Sequence, residues 1–195
     1  MLCGIICRNI FYPFSLWSGE KYCSSFACGY CGIAGTAGSW NCKDGFKEGV
    51  GGVICKTYEL GSLKNYKFVV VLSRYDGRVL LSRHRERSTW ETQGGHIEQG
   101  EAPMDAAKRE LYEESGAEEF SLSPLCDYWA ENEDGKNGAG GMVFTAVIYK
   151  LGKLPQSEMA ETKTFDALPE NLTYPAITSV LFHYEKMMKK SIETE

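Results

Sequence analysis

Residues Gly95 to Ala117 read GHIEQGEAPMDAAKRELYEESGA, and the intervals inside this stretch decide how the chain is read. Gly95 is followed after five residues by Glu101, after seven more by Arg109-Glu110, then by an aliphatic Leu111, Glu113-Glu114 and Gly116. Ala102 to Ser115 has helical periodicity, with Ala106, Ala107, Leu111 and Ser115 on the small and apolar seam that faces a core. Gly116 supplies the stop. On that helix Glu110, Glu113 and Glu114 stand at i, i+3 and i+4, so their carboxylates share one face. Like charges at this spacing oppose helix formation by about 0.2 to 0.5 kcal/mol per pair unless a cation compensates. Hard divalent cations take oxygen ligands, and Mg²⁺ in particular is shared between carboxylates and substrate phosphates. The cluster therefore reads as a metal site.

A solvated surface helix also carries runs of acids. It does not require glycines at two set distances, nor an arginine directly before the first glutamate. With the approach Trp90-Glu91-Thr92-Gln93-Gly94-Gly95-His96-Ile97-Glu98-Gln99-Gly100-Glu101, the whole pattern resembles the Nudix box. Two adjacent glycines let backbone amides and carbonyls approach a ligand. Two positions depart from the family pattern. Gln93 stands where many members have proline, and Ala117 where a bulkier aliphatic residue is usual.

The resemblance implies roles residue by residue. Glu110, Glu113 and Glu114, with the backbone carbonyl of Gly95, would ligate Mg²⁺ or Mn²⁺. Arg109 would orient the carboxylates through charge-assisted hydrogen bonds, and Glu101 would pair with Arg109. The implied reaction is attack of water on a phosphorus of a diphosphate linked to another group. The general base would be Glu110 or an acid on a late loop, where Glu158 and Glu161 precede an expected strand from Thr162 to Phe165. Arg83, the first of Arg83, Arg85 and Arg87, is the expected phosphate contact, because a guanidinium fork suits phosphate oxygens.

Composition bounds the rest. The chain has 195 residues, 43% hydrophobic and 24% charged, which fits one domain with or without an extension. A net charge of −5 argues against binding a nucleic-acid polymer and leaves the phosphates of a substrate to be balanced by metal. No apolar stretch approaches a membrane span. Arg8 interrupts the apolar run of Met1 to Trp17, and no clean cleavage site follows, so a cytoplasmic protein is expected.

The character of the chain changes near Cys55. Residues 1–55 hold seven of the eight cysteines and ten of the twenty-one glycines. Cys23, Cys28, Cys31 and Cys42 admit a four-thiolate zinc site, although only one C-x2-C pair is present. A loosely packed extension with free thiols, or a segment preceding a downstream start of translation, reads equally from the same residues. From residue 56 onward a folded domain is expected. It contains a strand from Tyr66 to Leu72, a turn at Asp76-Gly77, a returning strand from Val79 to Ser82, strands from Ser123 to Ala130 and Met142 to Tyr149, and a final helix after Pro175. Between the two later strands lies the glycine-rich segment Asn132 to Gly141. This order fits the α/β (α+β) class and the Nudix α/β/α sandwich, a mixed sheet between helices.

His84, His96 and His183 show no ligand spacing and read as surface or packing residues. Cys126, Trp90, Tyr128 and Trp129 fall in apolar surroundings and read as core first, although an aromatic ring can also stack on a base. The leading function is a metal-dependent hydrolase cleaving the diphosphate of a nucleoside diphosphate derivative. An oxidised nucleoside triphosphate such as 8-oxo-dGTP is the first substrate indicated, by similarity of Phe165 to Leu172 to nucleotide-pool-cleaning relatives. The partner is then a small nucleotide or nucleotide-linked diphosphate, and the family admits a homodimer. The competing class is non-hydrolytic, a nucleotide-sensing regulator or an isopentenyl-diphosphate-isomerase-like protein on the same fold. The intact Glu110, Glu113 and Glu114 favour hydrolysis.

Overall fold

The computed structural model describes residues 48–50, 52–135 and 137–193. Ten elements follow in order: β1 (Glu48–Val50), β2 (Val53–Tyr58), β3 (Phe68–Tyr75), β4 (Arg78–His84), β5 (Gln93–His96), α1 (Pro103–Ser115), β6 (Ala117–Asn132), β7 (Ala139–Leu151), β8 (Met159–Phe165) and α2 (Pro175–Glu193). Seven strands form one mixed sheet in the order β1-β2-β6-β7-β3-β4-β8, with β5 attached to β3. The β3–β7 pair is parallel and every other pair is antiparallel.

The continuous apolar run of β3 is buried on both faces of the sheet, as its lack of polar alternation requires. Val69 and Val71 point to the side where Ala106, Ala107 and Leu111 of α1 pack, together with Leu80, Phe144, Ala146 and Ile148. Leu72 points to the other side, where Val180, Leu181 and Phe182 of α2 meet Cys55, Val79, Leu81, Cys126 and Val143. The result is a sheet between two helices. Leu111 is fully buried, and Leu111→Ala would cost about 2 to 5 kcal/mol.

Several expected boundaries shift. The boundary after Cys55 falls inside β2, whose residues pair with β6, so the sheet reaches back to Glu48. Cys23, Cys28, Cys31 and Cys42, and with them the zinc reading, lie outside the described residues. The strand expected from Ser123 begins at Ala117, because bulges near Glu119 and Pro124 absorb residues that interrupt the alternation. The glycine-rich segment shortens correspondingly to the hairpin between Asn132 and Ala139. Among the described residues, no helix is long and apolar enough to cross a membrane.

One topological feature positions the site. β3 shares a single edge between two partners: Phe68–Val71 pairs with β5 and Ser73–Tyr75 pairs with β4. β4 thus diverges from β3 where β5 takes over, and α1 packs against β5 at that place.

Candidate active site

The site starts from two glycines whose missing side chains are required. Gly94 has a φ of 155°, and a β-carbon there would collide with the carbonyl oxygen of Val69 on the paired strand. A β-carbon at Gly95 would strike the carboxylate of Glu110. Bare backbone at Gly94 lets β5 pair closely with β3, and at Gly95 it leaves room for the Glu110 carboxylate of α1. At the far end of α1, Gly116 takes the left-handed conformation (φ 74°) and its amide donates to the carbonyl of Tyr112, ending the helix as expected.

Arg109 gathers the first group of acids. Its Nε and Nη2 donate to the two carboxylate oxygens of Glu101, each at 2.9 Å. Nη1 donates to Glu110 at 2.8 Å and to Glu113 at 3.4 Å, and Nη2 also reaches the carbonyl of His96 at 3.1 Å. One planar fork therefore ties the loop before α1, the end of β5 and two helix carboxylates together, which a lysine cannot do. The Arg109 hydrogen bonds hold the Glu101 carboxyl down at about 2, and the surrounding carboxylates raise the guanidinium pKa further. Burial raises Glu110 above the usual carboxylate range, against the opposing pull of Arg109.

Glu114 stands apart from this network. It is 6% exposed, and its side chain accepts one hydrogen bond, from the Gly94 amide at 2.8 Å. Burial pushes its carboxyl up to about 9, and the charges of Glu110, Glu91 and Glu158 add to the effect. Its backbone is fixed by a relay that the sequence did not reveal. The Ser82 hydroxyl donates to the Glu114 carbonyl at 2.7 Å, and the Gln93 amide donates to the Ser82 oxygen at 2.8 Å. Gln93, the departure from the usual proline, is fully buried and links β5, β4 and the last turn of α1.

Glu114, Gly94 and Gly95 open onto a cavity of about 410 Å³ whose other walls come from distant segments: Phe68 and Val70, Tyr128 and Ala130, and Tyr174 and Ile177. Glu158 lines this cavity, on the late loop where it was expected. The structure places the other two expected substrate contacts away from the residues that line the cavity. Glu161 lies within β8 and not on a loop, directly opposite Arg83 in the register, and the two form an ion pair at 2.9 Å. Neither lines the cavity, because the alternation of β4 turns Arg83 away from the face that carries Ser82. His84 and His96, read as surface or packing residues, both line it. His84 Nε2 is 3.5 Å from Glu158, and His96 stacks on Phe68 with centroids 4.3 Å apart. Trp90 and Tyr128 are both core, as expected, and Tyr128 also lines the cavity.

The donor set suits a hard cation. Glu110 offers a second oxygen with no hydrogen bond among the described residues, and Glu114 is a buried carboxylate without a hydrogen-bonded cation of its own. No three His, Cys, Asp or Glu side chains among the described residues enclose an ion as they stand, since Arg109 draws Glu110 and Glu113 to itself. The chemistry of the donors fits Mg²⁺ or Mn²⁺ better than Zn²⁺, which prefers nitrogen and sulfur.

Comparison with known proteins agrees with this geometry. The NUDIX domain profile matches residues 64–175. YtkD of Bacillus subtilis (strain 168), provisionally named an 8-oxo-dGTP diphosphatase, is 38% identical over 113 residues, covering 55% of this chain and 66% of that protein. An RNA pyrophosphohydrolase of Bartonella henselae is 45% identical over 69 residues, 31% of this chain and 40% of the relative. The match thus spans less than two thirds of the length of these curated relatives. Among solved structures, the Bacillus subtilis pyrophosphohydrolase BsRppH superposes with a TM-score of 0.61 at 28% identity, over 71% of this chain and 92% of that one. The NUDIX domain of Shewanella oneidensis NrtR, solved with ADP-ribose, shares the fold with a TM-score of 0.50 at 19% identity, over 67% and 94% of the two chains.

Proposed function

The chain belongs to the NUDIX family, and on that premise we propose that it is a metal-dependent pyrophosphohydrolase acting on a nucleoside diphosphate derivative, with a nucleoside triphosphate such as 8-oxo-dGTP as the first substrate. The observation that carries this reading is the pairing of Arg109, which holds Glu101, Glu110 and Glu113, with the buried and cation-free Glu114 at the mouth of the cavity. In it Glu110, Glu113, Glu114 and the carbonyl of Gly95 would hold Mg²⁺ or Mn²⁺.

Bound there, the metal lowers the pKa of water and offsets charge on the diphosphate. The protein's own residues do the rest. Glu110, oriented by Arg109, is the general base that takes the proton of the attacking water. Arg109 keeps Glu110 and Glu113 oriented, and Glu101 keeps Arg109 from swinging into solvent. The Gly94 amide fixes one oxygen of Glu114, and the Ser82–Gln93 relay fixes its backbone. Phe68 and Tyr128 give the cavity a flat apolar wall on which a base can stack, and Glu158 faces the same space. The reading puts the enzyme in the cytoplasm with its nucleotide substrates.

A second reading comes from the RNA pyrophosphohydrolases among the relatives, and in it the triphosphate belongs to an RNA 5′ end. The net charge of −5 weighs against a long RNA contact. One experiment separates the readings. Phosphate or pyrophosphate release is measured from nucleoside triphosphates, 8-oxo-dGTP, nucleotide sugars, ADP-ribose, dinucleoside polyphosphates and 5′-triphosphorylated RNA, with Mg²⁺, Mn²⁺ or EDTA. Metal-dependent cleavage of mononucleotides supports the first reading, and preference for the RNA end supports the second. Silence of a folded, metal-binding protein across the panel overturns both and leaves a sensor or isomerase.

A further inference from the structure

We propose that Arg87 is the phosphate-binding cation of the cleft, gripping the polyphosphate of the substrate from the segment between β4 and β5; this rests on the hydrolase reading above. The cavity is lined by three carboxylates, Glu91, Glu114 and Glu158, and Arg87 is the only arginine or lysine lining it among the described residues. A polyphosphate entering this space meets anions on several sides, so a fixed guanidinium there has a large effect on which end of the substrate enters.

The placement of Arg87 is built, not incidental. Its Nη1 donates to Glu91 at 2.9 Å, and its guanidinium lies over the ring of Tyr174, 5.9 Å from the centroid. Glu91 is 6% exposed and is itself locked, because its amide and carbonyl exchange 2.9 Å hydrogen bonds with Ser82. Trp90 exchanges hydrogen bonds with Asn171 and Thr173 on its other side, which brings Tyr174 alongside. Two segments more than 80 residues apart thus converge to hold one side chain. Arg83 contributes as a strut: while one end of its fork pairs with Glu161, the other donates to the carbonyl of Arg87 at 3.1 Å. Arg85 is occupied by the carbonyl of Met159. Of the three arginines, only Arg87 lines the cavity, and its side chain remains 43% exposed while it is held by Glu91 and Tyr174. A guanidinium can keep Glu91 on one edge and present another edge to phosphate oxygens, which an ammonium cannot.

The test uses the full chain and inorganic tripolyphosphate with Mg²⁺, read by calorimetry, beside steady-state kinetics on whichever substrate the panel yields. Arg87→Ala should weaken tripolyphosphate binding about 10- to 100-fold, the scale of a lost charged hydrogen bond. In kinetics KM should rise with kcat much less affected. Arg87→Lys should recover only part of the loss. Because Arg87→Ala leaves Glu91 buried and unpaired, the double variant Arg87→Gln/Glu91→Gln removes both charges and is expected to keep the fold while binding as weakly. Arg78→Ala, whose side chain pairs with the exposed Asp166 far from the cavity, is the control and should bind normally. Wild-type affinity in both folded Arg87 variants overturns the proposal, as does a folded wild type that binds no tripolyphosphate. A wild type that binds through Arg87 but cleaves nothing upholds this assignment and removes the hydrolase reading. Cleavage with KM unchanged in the variants does the reverse.

Discussion

The two ends of α1 treat the same functional group in opposite ways. Before the N-terminal end, Glu101 is clamped by both edges of the Arg109 fork, and its carboxyl sits at about 2. In the last turn, Glu114 is buried, has a single amide donor, and is pushed up to about 9. The helix dipole widens the contrast, since its C-terminal end is the negative one. One carboxylate has its cation supplied by the fold. The other is held in place by the fold and is most stable as an anion only when a cation comes from outside.

The largest way to break this contrast is to neutralise the second carboxylate. Glu114→Gln should fold normally and lower metal-dependent turnover about 10²- to 10³-fold, the scale of losing one charge-stabilising group at a transition state. Product release measured beside a thermal melt checks both halves, and full activity would remove Glu114 from the site. Next in size is the first carboxylate's partner. Arg109→Lys keeps the charge but loses the fork, and Gly95→Ala pushes a methyl group into the space of Glu110; each should cost about 10- to 100-fold in turnover at saturating substrate, the range seen for groups that orient metal ligands. A smaller effect is expected at the relay, where Gln93→Leu removes the donor to Ser82. Turnover should fall about 3- to 10-fold, one lost hydrogen bond's worth, with KM unchanged.

The smallest effect is the most direct comparison of the two acids. In EDTA, the folded protein binds a proton at Glu114 that the unfolded chain releases above 4.5, so stability declines as pH rises from 4.5 toward 9. Glu101 has the opposite sign: its contribution is complete above 4.5 and is lost as pH falls toward 2. Melting temperatures across this range should show Glu114→Gln flattening the alkaline limb and Glu101→Gln flattening the acidic one. Parallel curves for the two variants would mean that the two ends are electrostatically alike.

The α1 side of the cleft was readable from sequence because it is local. Glycine, arginine and glutamate spacings within 23 residues, Gly95 to Ala117, specify the helix, its stop and the shared face of its acids. The rest of the cavity wall was not readable, because it is assembled by pairing across the chain. Arg83 and Arg87 look equivalent in sequence. Only the register of β4 against β8, which gives Arg83 to Glu161, and the bridge of Trp90 to Leu172, which brings Tyr174 over Arg87, separate them. Glu158 and Glu161 divide in the same way, one at the cavity and one in the strand. A signal for Gln93 was present, since it replaces a usual proline, but its meaning depends on Ser82 being opposite. The early half of β6 was hidden by Pro124 and the Glu118-Glu119 pair, which the bulges accommodate.

Gly116 is the only residue between α1 and the 16-residue strand β6. This joint restricts how descendants of the chain can change length. An extra residue there that the bulges of β6 did not absorb would slip the strand by one position and turn Cys126 and Tyr128 to the opposite face of the sheet. Insertions are therefore tolerated elsewhere, at the hairpin between Asn132 and Ala139 and in the segment from Gly152 to Glu158, and Ala130, Ala139 and Glu158 at their edges line the cavity. Added length would then fall at the edge of the cavity and away from the carboxylates of α1.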